Sequence, residues 1–472
     1  MNKITIFISL FLSLLSLTAN AITKKYQRPR VIVMTDGEVD DRSSMVRFLL
    51  YANELDIEAI IQSSSVFQQH GWSSEKWIET QLDAYEQVYP NLIIHDPDYP
   101  TADELRKKLF VGDEDHAHLV VDQNSQKRIP GQKPQIDPTD WSDTPGSDRI
   151  VEILLDKDPR KVYISAWGGG NTAAKAFQKL KAQYPKEYDR AISKVVMYNI
   201  WYQDGAGAYI ETYHPGATML LCHWFSGTWD YSAQSYSAGF VTDYLHNGKN
   251  PLGEFYTQSV ISEGDSPSFL YNLGGGLRGW EDPTYGGWGG MFYKVPGFEN
   301  VYRDTDKGSF LRWVEAANRD FEVRLRWCIT PKREDANHHP IVTPVGEISR
   351  TVKAGEEVIL EADIVDNDSL DIEGLWKKYG KIYEQQGFGK DKFTKIAELR
   401  FPKFDSHWWQ FKEAGTYNGH VNIEFPYGNK ISFVAPDVDK PETIHLILEA
   451  VDKGTPMLTS YARFIVTVVP DK

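Results

Sequence analysis

The sequence predicts an α/β fold, a mostly parallel sheet flanked by helices, followed by a smaller β-sandwich. Short apolar runs alternate with segments of helical period through residues 28–339, which is typical of a parallel sheet covered on both faces. Over residues 340–472 the pattern changes to strands separated by turns, which is typical of a β-sandwich. With 472 residues the chain is long enough for two such domains.

Residues 1–21 have the features of a secretory signal peptide, and we do not expect them to belong to the fold. A basic start at Lys3 precedes a mostly apolar run, and Ala19-Asn20-Ala21 fits a small-x-small cleavage site. The run is shorter than the roughly 20 apolar residues that span a bilayer. We therefore expect an exported protein, periplasmic or secreted, without a membrane span.

Periodicity predicts the elements of the α/β part in chain order. Apolar runs bounded by turn residues predict strands at Val31–Met34, Ile57–Ile61, Leu92–Ile94, Val162–Ala166 and Val195–Tyr198. Helical spacing of apolar residues predicts helices at Arg42–Glu54, Ser74–Val88 and Thr172–Lys181. The polar segment 97–148 shows weak periodicity, and so long a connection in a compact domain is usually functional or covers something.

The C-terminal part reads as a small sandwich of the immunoglobulin-like kind. Strands are predicted at Ile431–Val434, Thr443–Val451 and Ala462–Val469, and the segment Val352–Leu360 reads as a turn between two further strands. Alternating apolar residues within 443–451 indicate a strand with one buried face. We therefore place the domain boundary near residue 340.

Composition limits the classes of partner and the sources of stability. The chain has 51 Lys and Arg against 66 Asp and Glu, a formal charge of −15, and loss of Lys3 with the signal peptide makes it about −16. This balance argues against a nucleic-acid polymer as partner, because phosphate binding relies on basic surface. It fits a cation or a neutral ligand. Cys222 and Cys328 are the only cysteines, both in segments that look helical, and whether they pair stays open.

An acidic cluster at the end of the first predicted strand is the most informative motif. The stretch 35–41 reads Thr-Asp-Gly-Glu-Val-Asp-Asp, and ligands of α/β sheets bind outside the carboxyl ends of the strands. Crowded carboxylates repel one another unless a cation or protons neutralise them. Helix capping is the alternative for Asp40 and Asp41, but Asp36 lies at the strand end and needs no cap. A hard cation with oxygen ligands is the natural partner.

Polar residues after later strands are further candidates for contact with a substrate. Gln203 and Asp204 follow the strand predicted at Val195–Tyr198, and their place just past a strand end favours a site role. Glu211 is a weaker candidate, because exposed glutamates are common.

Three aromatic or histidine residues in loops each allow two interpretations. His70 and Trp72 follow the second predicted strand and either line the pocket or belong to an ordinary surface loop. Trp288 lies among four glycines, where its ring either stacks on a sugar or plugs the loop against the domain.

Several motifs together resemble the nucleoside hydrolases, which are calcium-dependent N-ribosidases. The resemblance is closer still to their exported relatives, the nucleoside-hydrolase-like cellulose-binding family, and it covers nearly all of the mature chain. The matching segments are the strand-Asp36-x-x-x-Asp40-Asp41-helix signature, Arg47–Glu54, Trp167–Thr172, Gln203-Asp204, Gly264–Leu270, Gly286–Gly290, Ala336–His338, Glu442–His445 and Asp452–Pro456.

The resemblance implies a calcium site and a role for each of its residues. Asp36 would bind Ca²⁺ and act as the base, Asp41 would be a bidentate ligand, and Asp40 would hold sugar hydroxyls. A backbone carbonyl of the loop Gly168–Thr172, with Asn171 as its donor, and the carboxylate of Asp265, late in the domain, would complete the ligands. The implied reaction is hydrolysis of an N- or O-glycosidic bond, in which calcium-bound water attacks an anomeric carbon.

The sequence departs from the nucleoside hydrolases at three positions of the motif. Met34 replaces their first aspartate, Glu38 replaces a glycine, and Gly264 replaces a histidine of leaving-group chemistry. The run that grips ribose is not evident. The leading expectation is therefore a calcium-dependent glycosidase-like enzyme acting on a small glycoside or glycan fragment. A carbohydrate-binding protein that keeps the fold without hydrolysis is the alternative, and true nucleoside hydrolysis ranks last.

Overall fold

The fold is taken from a computed structural model. It describes residues 28–120, 133–229, 243, 245–256, 262–368, 370 and 372–471. The segment predicted as a signal peptide, residues 1–21, lies outside these. Among the described residues, no helix combines the length and apolar character needed to cross a bilayer.

The first part of the chain forms one eight-stranded sheet with the order β3-β2-β1-β4-β5-β6-β8-β7. All neighbours pair in parallel except β7 and β8. The strands are β1 (Arg30–Thr35), β2 (Asp56–Gln62), β3 (Leu109–Val111), β4 (Val162–Ala166), β5 (Val195–Ile200), β6 (Thr218–Cys222), β7 (Phe292–Lys294) and β8 (Val301–Asp304). The α/β architecture with a mostly parallel sheet is confirmed.

Helices cover both faces of this sheet. They are α1 (Val39–Leu50), α2 (Trp77–His95), α3 (Ala102–Arg106), α4 (Pro145–Leu155), α5 (Asn171–Gln183), α6 (Tyr188–Ile192), α7 (Ala206–Tyr213), α8 (Ser266–Leu270) and α9 (Gly308–Trp327). Alternate residues of β1 enter two different apolar cores, Val31 and Val33 one, Ile32 and Met34 the other. This two-sided burial explains why the strand is continuously apolar rather than alternating.

One predicted strand of the α/β part is wrong. Residues Leu92–Ile94 form the last turn of α2, which continues to His95 although Pro90 lies inside it. Leu92 is fully buried while Ile93 and Ile94 are exposed. The apolar run is therefore the end of an amphipathic helix, and the proline was not enough to stop it.

The C-terminal part packs two sheets around a third apolar core, as expected of a β-sandwich. One sheet has the order β10-β15-β14-β12 and the other β13-β11-β9. A pair of helices, absent from the sequence prediction, stands between β11 and β12. The elements are β9 (Ile341–Val345), β10 (Ser349–Lys353), β11 (Glu357–Val365), α10 (Ile372–Gln385), α11 (Lys390–Arg400), β12 (Phe404–Gln410), β13 (Lys430–Val434), β14 (Glu442–Asp452) and β15 (Thr459–Val469).

The two cysteines are buried free thiols. Cys222 ends strand β6, so its predicted helical setting is wrong, whereas Cys328 directly follows α9. Burial raises the pKa of both thiols, which keeps them protonated and unreactive.

Candidate functional site

Two loops meet at the carboxyl edge of the large sheet, where the strand order changes direction. Strand β1 lies between β2 and β4, so the loops that follow β1 and β4 border the switch point. Asp36 directly follows β1, and Gly168–Gly170 lead from β4 into α5. Ligands of open α/β sheets bind at such a point.

Carboxylates from two distant parts of the chain converge at this edge. Oxygen atoms of Asp36, Glu38 and Asp41 lie within 4.8 Å of one another, and those of Asp40, Asp41 and Asp265 do so as well. Asp41 is common to both groups, so the five acidic residues form one cluster, named here the acidic cluster. The structure thus brings Asp265 to the N-terminal signature, as the sequence analysis expected.

Asp41 is held by residues that precede its helix. Its Oδ1 accepts hydrogen bonds from the Thr35 hydroxyl and from the backbone N–H of Asp36, the latter at 3.1 Å. The N-cap residue of α1 is Glu38, and in the described structure no side chain caps that helix end. Helix capping therefore does not account for Asp41, which favours the alternative interpretation of Asp41 as a cation ligand.

The acidic cluster has the electrostatics of crowded, buried like charges. Burial raises the pKa of Asp36, Asp41 and Asp265, and for the last two the neighbouring carboxylates raise it further. Burial and the charges of Asp36 and Asp40 raise the pKa of Glu38 to about 8. A divalent cation would relieve this repulsion and restore the ionised forms.

Unsatisfied oxygen atoms show that the residues fit such a cation. Asp36 Oδ2 and Asp265 Oδ2 are buried and, within the described residues, have no hydrogen-bond partner. Buried carboxylate oxygens of this kind are costly unless an ion or water binds them. Gly168 leaves room beside one of them, because a Cβ at this position would lie 2.6 Å from Asp36 Cγ.

Asn171 offers a further oxygen near the loop after β4. Its Nδ2 donates to the His118 carbonyl at 3.0 Å, and its buried Oδ1 finds no partner among the described residues. The hydrogen bond fixes which way the amide points. The predicted role of Asn171 as a metal ligand stays a prediction.

Asp204 lies in the position expected from the sequence, but its oxygens serve two helix starts. Oδ1 accepts from the backbone N–H of Ala206 at 2.8 Å, and Oδ2 accepts from that of Asn171 at 3.0 Å. Burial outweighs these bonds and raises the pKa of Asp204 to about 7. This geometry favours a positioning residue that holds the loop after β4, and direct substrate contact stays a prediction.

Gln203 and Glu211 are also buried and engaged with protein groups. Gln203 Nε2 donates to the carbonyls of Trp167 and Ile200, while its Oε1 has no partner within the described structure. Glu211 accepts from the Tyr202 hydroxyl at 2.6 Å and from Arg303 at 2.9 Å. A substrate role of Glu211 would require it to leave this ion pair, so the geometry favours a structural role.

The three loop candidates lie in different surroundings. Trp72 is half-buried. It lies beside the loop that carries Asp36 and Glu38, because a Cβ on Gly37 would lie 3.4 Å from Trp72 Cβ. His70 is exposed and lies near the ring of His116. Trp288 is only 3% exposed and packs in the main core beside Gly274. Of its two interpretations, the structure favours the plug.

Sequence reasoning missed an aromatic wall next to the acidic cluster. The ring of Trp201 lies 5.0 Å from that of Phe225 and 6.2 Å from that of Phe67. Phe225 and Asp40 both border Gly264, because a Cβ at that position would lie 3.3 Å from the Phe225 ring and 2.6 Å from Asp40 Oδ2. We name Phe67, Trp201 and Phe225 the aromatic wall.

The backbone of Trp201 supports a functional reading of the aromatic wall. This residue follows β5 directly and has φ of 56°, a left-handed conformation that is costly for a large side chain and clusters at functional sites. Trp201 stands two positions before Gln203, so its place after a strand end was the signal that the sequence offered.

Comparisons with known proteins identify the family of the chain. Residues 30–292, more than half of the chain, match the family model described as cellulose-binding Sde182, nucleoside hydrolase-like domain. Residues 402–468 match the model described as cellulose-binding protein Sde0182, C-terminal domain. No curated protein sequence matches the chain.

One solved structure shows the same fold over almost the whole chain. A nucleoside hydrolase-related hypothetical protein from Saccharophagus degradans, described as associated with carbohydrate metabolism, is 26% identical, with a TM-score of 0.75 over 94% of this chain and 100% of that one. A plant nucleoside hydrolase is 15% identical over 63% of this chain and 99% of its own, with a TM-score of 0.31. An inosine-guanosine nucleoside hydrolase is 14% identical over 64% and 99%, with a TM-score of 0.33.

Three findings agree with one another: the length of the family match, the second match near the C-terminus, and the fold shared with the Saccharophagus protein. The resemblance expected from the motifs is thereby confirmed. The chain therefore belongs to the cellulose-binding Sde182 family with a nucleoside hydrolase-like domain.

Proposed function

We propose that the protein is an exported, Ca²⁺-dependent hydrolase of N- or O-glycosidic bonds that acts on a small glycoside or glycan fragment. The observation that carries this proposal is the acidic cluster, in which two buried carboxylate oxygens, Asp36 Oδ2 and Asp265 Oδ2, have no hydrogen-bond partner among the described residues. Asp36, Asp41 and Asp265 would hold the ion, with Asn171 as a further oxygen ligand. When bound, Ca²⁺ would neutralise these carboxylates and lower the pKa of a water molecule.

The roles of the surrounding residues follow from their burial and position. Oδ1 of Asp36 accepts from the Glu38 N–H at 3.4 Å, and the Asp36 carboxylate would both ligate the ion and accept a proton from the attacking water. Asp40 is half-buried at the cluster and hydrogen-bonds ring hydroxyls. The aromatic wall beside Asp40 supplies an apolar face for the sugar ring and excludes water from the bond that breaks.

Export is proposed from the sequence pattern of residues 1–21. Expression of the full chain in a bacterial host with N-terminal sequencing of the product tests this point. A mature N-terminus at Ile22 in the extracytoplasmic fraction is the expected result, and an intact chain that stays in the cytoplasm contradicts export.

The metal part of the proposal is tested by calorimetry on chelator-treated protein. We expect Ca²⁺ to bind the wild type and to raise its Tm, because the ion binds only the folded state. Asp265→Asn should lose this binding, whereas Asp140→Asn, a substitution of an exposed aspartate in a short helical turn, should keep it. Absence of Ca²⁺ binding to the wild type would refute the metal site.

The catalytic part is tested with a panel of nucleosides, aryl glycosides and oligosaccharides. We expect hydrolysis by the wild type, and a loss of about 100-fold or more in Asp36→Asn, since general-base catalysis supplies roughly 10²–10⁴-fold. If Ca²⁺ binds but no glycosidic bond in the panel is cleaved, or if the variant is equally active, hydrolysis is excluded for these substrates.

A second candidate function, carbohydrate binding without hydrolysis, is favoured by one position. Nucleoside hydrolases with leaving-group histidine carry a side chain where this chain has Gly264, and here a Cβ would collide with Asp40 at 2.6 Å. A histidine at this position would therefore require the Asp40 carboxylate to move. The description of the family as cellulose-binding supports the same candidate, and oligosaccharide binding without cleavage in the panel decides for it.

A further inference from the structure

A second cleft lies between the two parts of the chain and shares no residue with the acidic cluster. It runs between α9 and the sheet face formed by β12, β14 and β15, and has a volume of about 470 Å³. Ligand pockets occupy roughly 300–1,000 Å³. The three aromatic side chains that line it are Trp313, Trp409 and Tyr461.

The aromatic rings form one connected surface. The ring of Trp313 lies 5.9 Å from that of Trp409 and 5.6 Å from that of Tyr461. Trp313 is 3% exposed, and its Nε1 is buried without a hydrogen-bond partner among the described residues. An indole N–H in this state is a donor that a ligand or water in the cleft would satisfy.

The aromatic surface continues outward along the edge of the sheet. Pairing of His407 with Tyr427, together with the bond from Trp408 N–H to the Pro426 carbonyl at 2.7 Å, adds the segment 425–427 to β12. Paired residues and residues two apart in an extended chain share a face. Tyr427 and Phe425 therefore stand on the same face as His407 and Trp409, and they are 73% and 78% exposed.

The charged groups around the cleft are paired with one another. Glu449 accepts from Trp409 Nε1 at 3.2 Å and lies 3.8 Å from His407 Nε2. Arg312 donates to Glu413 at 2.6 Å, and Arg319 pairs with Glu315. Since each charge has its opposite beside it, the rim offers hydrogen bonds without a strong field of one sign. This matches a neutral polyhydroxy ligand better than an anionic one.

We propose that this aromatic cleft binds a neutral β-glucan chain, whose sugar rings stack on Trp409, Tyr427 and Phe425 while the polar rim binds their hydroxyls. Two large apolar rings standing free in solvent on one strand edge suit a rigid, extended chain with apolar ring faces. The inference rests on the proposed function only in taking a carbohydrate as the ligand. It gives the protein a glycan-binding surface apart from the acidic cluster.

The test measures retention on insoluble cellulose and binding of cellohexaose by calorimetry, with the full mature chain in the presence of a calcium chelator. The variant Phe425→Ala with Tyr427→Ala removes the exposed rings without touching a core. Tyr293→Ala, which removes a 48% exposed tyrosine from β7, is the matched control. Circular dichroism and Tm confirm that each variant folds.

We expect the double variant to bind cellohexaose about tenfold more weakly or worse, and Tyr293→Ala to bind as the wild type does. The anionic polymer polygalacturonate should bind more weakly than cellohexaose. The proposal is overturned if the wild type binds no glucan, if the double variant binds unchanged, or if polygalacturonate binds equally well. Because the chelator removes Ca²⁺, these results are independent of the metal and hydrolysis tests.

Discussion

Arg47 Nε lies 3.1 Å from Glu263 Oε2, and both side chains are completely buried. Arg47 belongs to α1, the helix that carries Asp40 and Asp41, whereas Glu263 lies two residues before Asp265. The Glu263 carboxylate also accepts from the Tyr256 and Ser266 hydroxyls, each at 2.8 Å. This ion pair ties the two halves of the acidic cluster together.

The variant Glu263→Gln should therefore damage both stability and Ca²⁺ binding. It preserves the shape of the side chain but leaves the Arg47 charge buried without its counter-charge, which costs about 3–5 kcal/mol. Urea denaturation should show a lower free energy of unfolding, and calorimetry should show weaker Ca²⁺ binding. Glu152→Gln, which breaks a pair with Arg149 on the surface of α4, should change neither by more than about 1 kcal/mol. Equal effects of the two variants would contradict this linking role.

Gly168→Ala should weaken Ca²⁺ binding through a steric effect alone. The added Cβ would lie 2.6 Å from Asp36 Cγ and 2.8 Å from Asp36 Oδ2, so the carboxylate must leave its present position. We expect the Ca²⁺ affinity from calorimetry to fall by about tenfold, an energy of roughly 1.4 kcal/mol. Gly389→Ala is the control, because a Cβ there meets nothing within 4 Å in the described structure. Unchanged affinity in Gly168→Ala would show that Asp36 does not ligate the ion.

Asp204→Asn separates a positioning role from direct contact with the substrate. An amide can offer only one acceptor oxygen to the N–H groups of Asn171 and Ala206, so its NH₂ group would face a donor. We expect a loss of roughly 1–2 kcal/mol in the free energy of unfolding, together with weaker Ca²⁺ binding because the loop after β4 is loosened. Normal stability with weaker binding of the glycan alone would instead assign Asp204 to the substrate. Asp140→Asn again serves as the matched control.

The sequence was sufficient for features set by local pattern and position. Strand β4 has the predicted bounds, Asp36 follows the end of β1 as expected, and Asp265 joins the N-terminal carboxylates as the motifs indicated. The failures concern choices that only tertiary contacts make. A carboxylate after a strand end, such as Asp204, either contacts a ligand or accepts hydrogen bonds from the start of a helix. Its position in the sequence relative to the strand is the same in both cases.

Other predictions from the sequence failed for the same reason, because they depend on tertiary contacts that the local spacing of apolar residues does not indicate. Pro90 normally ends a helix, but buried Leu92 and His95 give the last turn of α2 enough packing to continue. The left-handed backbone of Trp201 and the ion pair of Arg47 with Glu263 both depend on segments far apart in the chain. The glycine-rich loop allowed two interpretations of Trp288, and only its burial in the main core favours a packing role over stacking on a sugar.

Stability should depend on pH through an ion pair near the domain boundary. His339 Nε2 lies 2.5 Å from Asp320 Oδ1, and Arg324 Nε donates to the same carboxylate at 3.0 Å. Burial works against the imidazolium, and Arg324 repels it, but attraction by Asp320, aided by Glu54, raises the pKa of His339 above its usual value. Asp320 is also buried, yet Arg324 and His339 hold the pKa of its carboxyl well below the usual range.

Because the folded state binds the His339 proton more tightly than the unfolded chain does, this contribution to stability is complete below about pH 6.5 and is lost as the pH rises through the raised pKa. We expect the difference in free energy of unfolding between the wild type and His339→Gln to shrink from about pH 6 to pH 9 in urea titrations. His70→Gln, at an exposed position, should run parallel to the wild type. The expected pH dependence comes from the loss of a proton from His339. A difference in free energy of unfolding that stays constant over this range would therefore show that His339 and Asp320 do not form a charged pair.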